Sequence, residues 1–165
     1  MGDRIKPLPN MADHNCFGCG PANAHGLKMN FFSDGECVFS RLRLSRRFCG
    51  WENIAHGGIL STILDEIMGR TVIYLLKTPG MTKSMEISFL KPVYIGEDFR
   101  AEGRIVEVPP GGREAVVDGI ILNAKGEKCA VSSGRFALQS IDRIKEKGVS
   151  NQAVIDWFEM FLKEG

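Results

Sequence analysis

The sequence predicts an α+β domain in which an antiparallel sheet packs on one long helix and a further helix follows at the C-terminus. Three observations predict it. Apolar residues recur at helical spacing through GGILSTILDEIMG. Four alternating runs then follow, joined by short turns. No helical pattern separates those runs, which argues against a parallel α/β sheet and for antiparallel pairing.

Taken in order, residues 1–15 read as an irregular arm carrying Pro7 and Pro9. CFGCGPANAHGLKM, rich in Gly, Asn and Pro, is expected to be a structured loop. Residues 37–44, CVFSRLRL, alternate Val38, Leu42 and Leu44 against Arg41 and Arg43, the pattern of a half-buried strand. Gly50 and Trp51 lead into the helix, and KTPGM ends it at Pro79 and Gly80. MEISFLKPV and EDFRAEGRIVEV supply two strands, PPGGR a turn, and residues 114–138 two more strands joined around Asn123 to Gly126. Ser150 is the expected N-cap of a last helix, with Val154, Trp157, Phe158, Phe161 and Leu162 at helical spacing. The domain reading is an arm over 1–15, a core domain over 16–139 and a helical extension over 140–165.

Composition is that of an ordinary globular domain, 44% hydrophobic and 25% charged in 165 residues. A net charge of +1 gives no broad field for nucleic acid or an anionic membrane, so neither is an expected partner. No run approaches the roughly 20 apolar residues of a membrane span, and the first residues lack the apolar core of a signal peptide. A cytoplasmic protein is the expectation, with its five cysteines reduced.

The helix poses the functional question. At about 100° per residue, Ile59, Leu60, Ile63, Leu64, Ile67 and Met68 fill one half. The other half holds Ser61, Thr62, Asp65, Glu66, Gly69 and Arg70. Glu66 has Arg70 four residues on, the favourable order for a helix ion pair. Asp65 is flanked by Ser61, Thr62 and Gly69, small side chains that leave space above it or hydroxyls that satisfy it. Gly57 and Gly58 let a ligand approach the first N–H groups of the helix, which carry the positive end of its dipole.

Asn53, then His56-Gly57-Gly58, then Asp65 nine positions after the histidine resembles the hotdog-fold acyl-CoA thioesterases, in the branch typified by phenylacetyl-CoA thioesterase. TKSMEISFLKPVYIGE, with Thr82 ten residues before Pro92, and the Gly112-Arg113 pair resemble it too. The opening CFGCGPANAHGLKM resembles a subgroup with a Cys-x-x-Cys-Gly element before the first strand. The resemblance spans about residues 14–139 and implies a helix wrapped by an antiparallel sheet, in a homodimer or homotetramer with active sites at the dimer interface. It implies hydrolysis of an acyl-CoA or acyl-carrier thioester without a cofactor. Asp65 would be general base or nucleophile, and the Gly57 N–H with that of Gly58 would polarise the carbonyl. Asn53 and His56 would position acyl group or water, and Thr82 would enter from the partner subunit. An acyl-CoA binder without catalysis, or a dehydratase using His56, could sit on the same scaffold.

Gly112 and Arg113 are the expected hold on the CoA phosphates, Arg113 reaching outward from a turn. Lys83 and Lys91 could meet the same phosphates or face solvent. His14, Cys16, Cys19 and His25 include a zinc-knuckle spacing, but the histidines miss the usual His-x₃₋₅-His arrangement, and a packed metal-free loop is the expectation. Cys37, Cys49 and Cys129 read as buried small residues. Trp51 and Tyr74 hint at an apolar or aromatic acyl group.

Overall fold

The computed structural model describes residues 5–163, so the first four residues of the arm and the last two of the extension lie outside it. Its centre is α1, Gly57–Leu76. The strands are β1 (Lys6–Pro7), β2 (Phe32–Ser33), β3 (Val38–Arg43), β4 (Cys49–Trp51), β5 (Ile54–Ala55), β6 (Gly80–Phe89), β7 (Asp98–Glu107), β8 (Glu114–Asn123) and β9 (Lys128–Leu138). Seven of them form one antiparallel sheet in the order β1-β2-β3-β7-β8-β9-β6, while β4 and β5 pair separately. This is the expected hotdog architecture. The short strands β1, β2, β4 and β5 are additions too brief to show as periodicity, and β1 gives the arm a regular anchor.

The helix packs as its wheel dictates. Leu60, Ile63, Leu64, Ile67, Met68 and Val72 are buried against Phe99 and Ala101 of β7, Val117 and Ile121 of β8, and Ala130 and Phe136 of β9. The close approach is made possible by missing side chains. Gly103 and Gly119 face each other across β7 and β8. A Cβ on Gly103 would stand 2.2 Å from Thr71 Oγ1, and one on Gly119 would stand 3.1 Å from Leu64 Cδ2.

The polar half of α1 is also covered. Thr71 is buried against Gly103 of β7, and Arg70 is buried under Cys19 of the loop of residues 14–29 and Trp157 of the C-terminal segment. That segment holds two helices where one was expected, α2 (Ile141–Lys147) and α3 (Gln152–Lys163). Ser140 caps α2, its hydroxyl accepting from the Arg143 N–H at 3.2 Å. Asn151, not Ser150, accepts from the Val154 N–H ahead of α3, at 3.0 Å. Trp157 and Phe161 then reach the core, stacked at 5.3 Å, with Phe161 edge-on to Tyr74 at 4.9 Å. Cys37 and Cys129 are buried as expected, but Cys49 is exposed because it opens the outlying β4–β5 hairpin.

One local irregularity places a functional side chain. The register of β6 on β9 shifts between Thr82 and Ser84, leaving Lys83 as a bulged residue. Alternation alone would put Thr82 on the outer face with Ser84, Glu86 and Ser88. The bulge reverses its sense, turning Thr82 toward α1, while Lys83 swings out to an ion pair with Glu114.

Candidate active site

The side chains around Asp65 decide what it is free to do. Ser61 and Thr62 both turn back on their own helix, donating to the Gly57 and Gly58 carbonyls at 2.9 and 3.0 Å. Neither satisfies the carboxylate. Its partner is Thr82, whose hydroxyl donates to Asp65 Oδ1 at 2.6 Å. The resemblance implied a Thr82 from the partner subunit; here the contact lies within one chain. Burial pushes the Asp65 carboxyl up from its ordinary value, Thr82 pulls it back, and the Glu66 charge adds to the rise. Glu66 is spent as expected, accepting from Arg70 Nε at 3.2 Å with both groups largely buried.

Asp65 and Thr82 border a cavity of about 210 Å³. Gly69, Arg70 and Ile73 of α1 line it, with Gly80 at the start of β6. Met11, His14, Cys16 and Cys19 close it from the N-terminal side, and Val154, Trp157 and Phe158 from α3. The contribution of α3 was not foreseen. Its apolar spacing marked it as a packing helix, with nothing to show where it docks.

The start of α1 forms a second group. His56 is the N-cap, and its Nδ1 accepts from the Gly58 N–H at 2.9 Å, so the ring proton sits on Nε2. The Ile59 and Leu60 N–H groups donate to the His56 carbonyl. The Gly57 N–H has no hydrogen-bond partner among the described residues. The expected pair of donors is thus reduced to one, because the histidine occupies the other. Asn53 is exposed in the turn between β4 and β5, its carbonyl accepting from Ile95 N–H at 2.8 Å.

These groups do not all meet within one chain. Gly57 and Asp65 are eight residues apart on α1, about 12 Å of rise. Gly57 lies beside Phe89 at the far end of β6 from Thr82. Gly112 and Arg113 precede Glu114, which pairs with Ala137 in the row next to Met81. They therefore belong to the Thr82 end and not to the helix start. Lys83 and Lys91 are engaged by Glu114 and Glu127. Tyr74 anchors the arm through a hydrogen bond to the Pro9 carbonyl. Trp51 is 83% exposed.

Residues 52–130 match the sequence profile of the thioesterase superfamily. The hotdog segment of this chain is similar to that superfamily. A solved thioesterase-superfamily protein superposes with a TM-score of 0.69 at 26% identity, covering 74% of this chain and 60% of its own. A hypothetical thioesterase from Streptococcus pneumoniae, solved with coenzyme A, superposes with a TM-score of 0.59 at 24% identity, covering 64% of this chain and 80% of its own. The verlamelin biosynthesis protein B of a Lecanicillium species is 26% identical over 59% of this chain and 54% of its own length. The chain spans about half the length of the curated relatives it matches. Among the described residues, no helix is long and apolar enough to cross a membrane.

Proposed function

We propose that this chain hydrolyses an acyl-CoA thioester, with Asp65 as general base. The observation that carries the reading is the state of Asp65. It is a half-buried carboxylate at a cavity, held on one oxygen by Thr82, with neighbouring hydroxyls turned away. The likeness to thioesterases supports the reaction class, and the Streptococcus pneumoniae relative, bound to coenzyme A, supports the carrier.

Thr82 fixes Oδ1 and leaves Oδ2 for a water. As that water attacks the thioester carbon, its proton passes to Asp65. The carbonyl oxygen gains negative charge and needs a donor already in place. The free Gly57 N–H at the helix start is such a donor, helped by the helix dipole. Collapse of the tetrahedral intermediate breaks the C–S bond, and the proton on Asp65 goes to the departing thiolate. His56 holds the cap, which keeps the Gly57 N–H presented to the ligand.

The 12 Å gap between Asp65 and Gly57 is closed by a second copy. β6 is a ten-residue edge strand with its outer edge unpaired among the described residues. Two-fold antiparallel pairing of β6 with its copy sets the Thr82 end of one chain beside the Phe89 end of the other. Asp65 then faces Gly57 of the partner subunit, and a homodimer holds two composite sites. The pairing also removes a long exposed strand edge and covers Phe89, Leu90 and Tyr94, all exposed in the single chain.

The test is loss of thioester absorbance over a panel of straight-chain and aromatic acyl-CoAs. Wild type should turn over at least one class. Asp65→Asn should lose at least ~10²-fold, the scale of general-base removal, with Glu66→Gln retaining most activity. A wild type that binds the panel without turnover, or loss in Glu66→Gln alone, overturns the assignment. Sedimentation of a fully active monomer would remove the composite site.

A further inference from the structure

The loop of residues 14–29 brings together three side chains that the thioesterase reading does not use. His14 Nδ1, Cys16 Sγ and Cys19 Sγ all lie within 4.8 Å of one another. His14 Nδ1 is 3.8 Å from Cys19 Sγ, and Glu66 Oε2 is 3.6 Å from Cys16 Sγ. Around a tetrahedral zinc ion, with bonds of about 2.3 Å to sulfur and about 2.0–2.1 Å to nitrogen or oxygen, neighbouring donors stand about 3.5–3.8 Å apart. The His14–Cys19 and Cys16–Glu66 distances fall in that range, and the three nitrogen and sulfur donors are close enough to converge on one ion. We infer that His14, Cys16 and Cys19 form a structural zinc site, with Glu66 supplying an oxygen donor for the fourth corner.

The surroundings fit a metal better than a bare packed loop. Two sulfurs and one imidazole nitrogen are a donor set that selects zinc over the hard oxygen-seeking cations. The knuckle is closed by the Gly20 N–H donating to the Cys16 carbonyl at 2.9 Å. It admits no side chain at Gly20, where a Cβ would stand 2.3 Å from the His14 carbonyl oxygen. Arg70 is buried and donates to both Cys19 Sγ, at 2.6 Å, and Glu66 Oε1, at 3.2 Å. It thereby orients donors on two sides of the site, as outer partners of metal ligands do. The charges also close. A divalent ion with two thiolates is neutral, and the Glu66–Arg70 pair beside it is neutral, so the buried cluster carries no net charge.

His25 stands outside the cluster, exposed on the same loop. The four residues His14, Cys16, Cys19 and His25 that the sequence offers are therefore not the set that meets, because Glu66 arrives from α1. The loop has no regular secondary structure between Cys16 and Met29, and it forms one wall of the Asp65 cavity. A zinc ion would tie that wall to α1. The site does not depend on the substrate or on catalysis.

The experiment is metal analysis of full-length protein purified without chelator, followed by titration of the chelator-treated protein with Co²⁺ alone. About one zinc per chain is expected. Cobalt should give the thiolate-to-metal band and tetrahedral ligand-field bands at one equivalent, and Zn²⁺ should displace them. Cys16→Ser and Cys19→Ser should each abolish the thiolate band or weaken binding by at least ~10²-fold, whereas Cys49→Ser, the exposed cysteine, should change nothing. Folded wild type with well under one zinc and no cobalt–thiolate band overturns the inference, and this result does not require any variant to fold. So does a band that survives in both Cys16→Ser and Cys19→Ser, or a Cys16–Cys19 disulfide in protein purified without oxidant.

Discussion

A methyl group placed on Gly103 has nowhere to go but into α1. Its carbon would stand 2.2 Å from Thr71 Oγ1, 3.0 Å from the Ile67 carbonyl oxygen and 3.3 Å from Thr71 Cβ, where ordinary contact begins at 3.4 Å. Thr71 Oγ1 donates to that same Ile67 carbonyl at 2.7 Å in the buried interior. To make room the hydroxyl must rotate away, losing a buried hydrogen bond worth about 1–3 kcal/mol when its groups are left unpaired. The helix backbone at Ile67 must then give by a few tenths of an ångström, an overpacking cost of about 1–3 kcal/mol. Gly103→Ala is expected to lose about 3 kcal/mol in all, or a fall in Tm of about 6–12 °C for a domain of this size. Thr71→Ala in the same chain removes the worst contact and should restore about half of the loss. Urea and thermal unfolding at matched protein concentration measure both. A Gly103→Ala variant within about 0.5 kcal/mol of wild type, the range of an ordinary surface change, or a double variant no better than the single, would refute the claim that missing side chains set the helix-to-sheet distance.

Three further outcomes are expected. Thr82→Val should lower kcat by about 10–100-fold, the kinetic equivalent of one hydrogen bond to a charged group at about 1.5–3 kcal/mol, while Thr82→Ser retains most of it; loss in Thr82→Ser with none in Thr82→Val would mean that the methyl group, not the hydroxyl, matters. Arg113→Ala should raise KM for acyl-CoA several-fold with kcat nearly unchanged, and should matter little for a truncated thioester lacking the nucleotide; an equal effect on both substrates would remove the phosphate role. Trp157→Ala should cost about 3–5 kcal/mol as a buried aromatic truncated to a cavity, and should shift the acyl-chain preference toward larger groups; unchanged chain preference in a folded variant would show that α3 does not bound the acyl site.

The sheet and the helix were legible because they are long and one-sided. The arc from Leu60 to Met68 could only face a core, and β7, β8 and most of β9 bury every second residue. The Glu66–Arg70 pair was legible for the same reason, being fixed by helix spacing alone. What could not be read depends on contacts distant in sequence. The bulge at Lys83 turns Thr82 inward, and no local pattern announces it. His56 takes the Gly58 N–H, so that a residue proposed for substrate is committed to the helix cap. Asn151 supplants Ser150 because capping depends on where the helix begins, and α3 begins at Gln152.

The covering of the cavity by α3 separates two properties that a single-layer domain would join. Trp157 and Phe158 stand more than 90 positions after Asp65, on a segment that contributes no strand to the sheet and no residue to the catalytic pair. Register, helix seating and the carboxylate's geometry are fixed by the barrel-like wrap alone. The reach of the cavity on its C-terminal side is set by the tail. Substitutions along one face of a twelve-residue helix can therefore widen or shorten the chamber while the chemistry beneath it stays where the sheet put it. The tail is a lid sized independently of the vessel it closes.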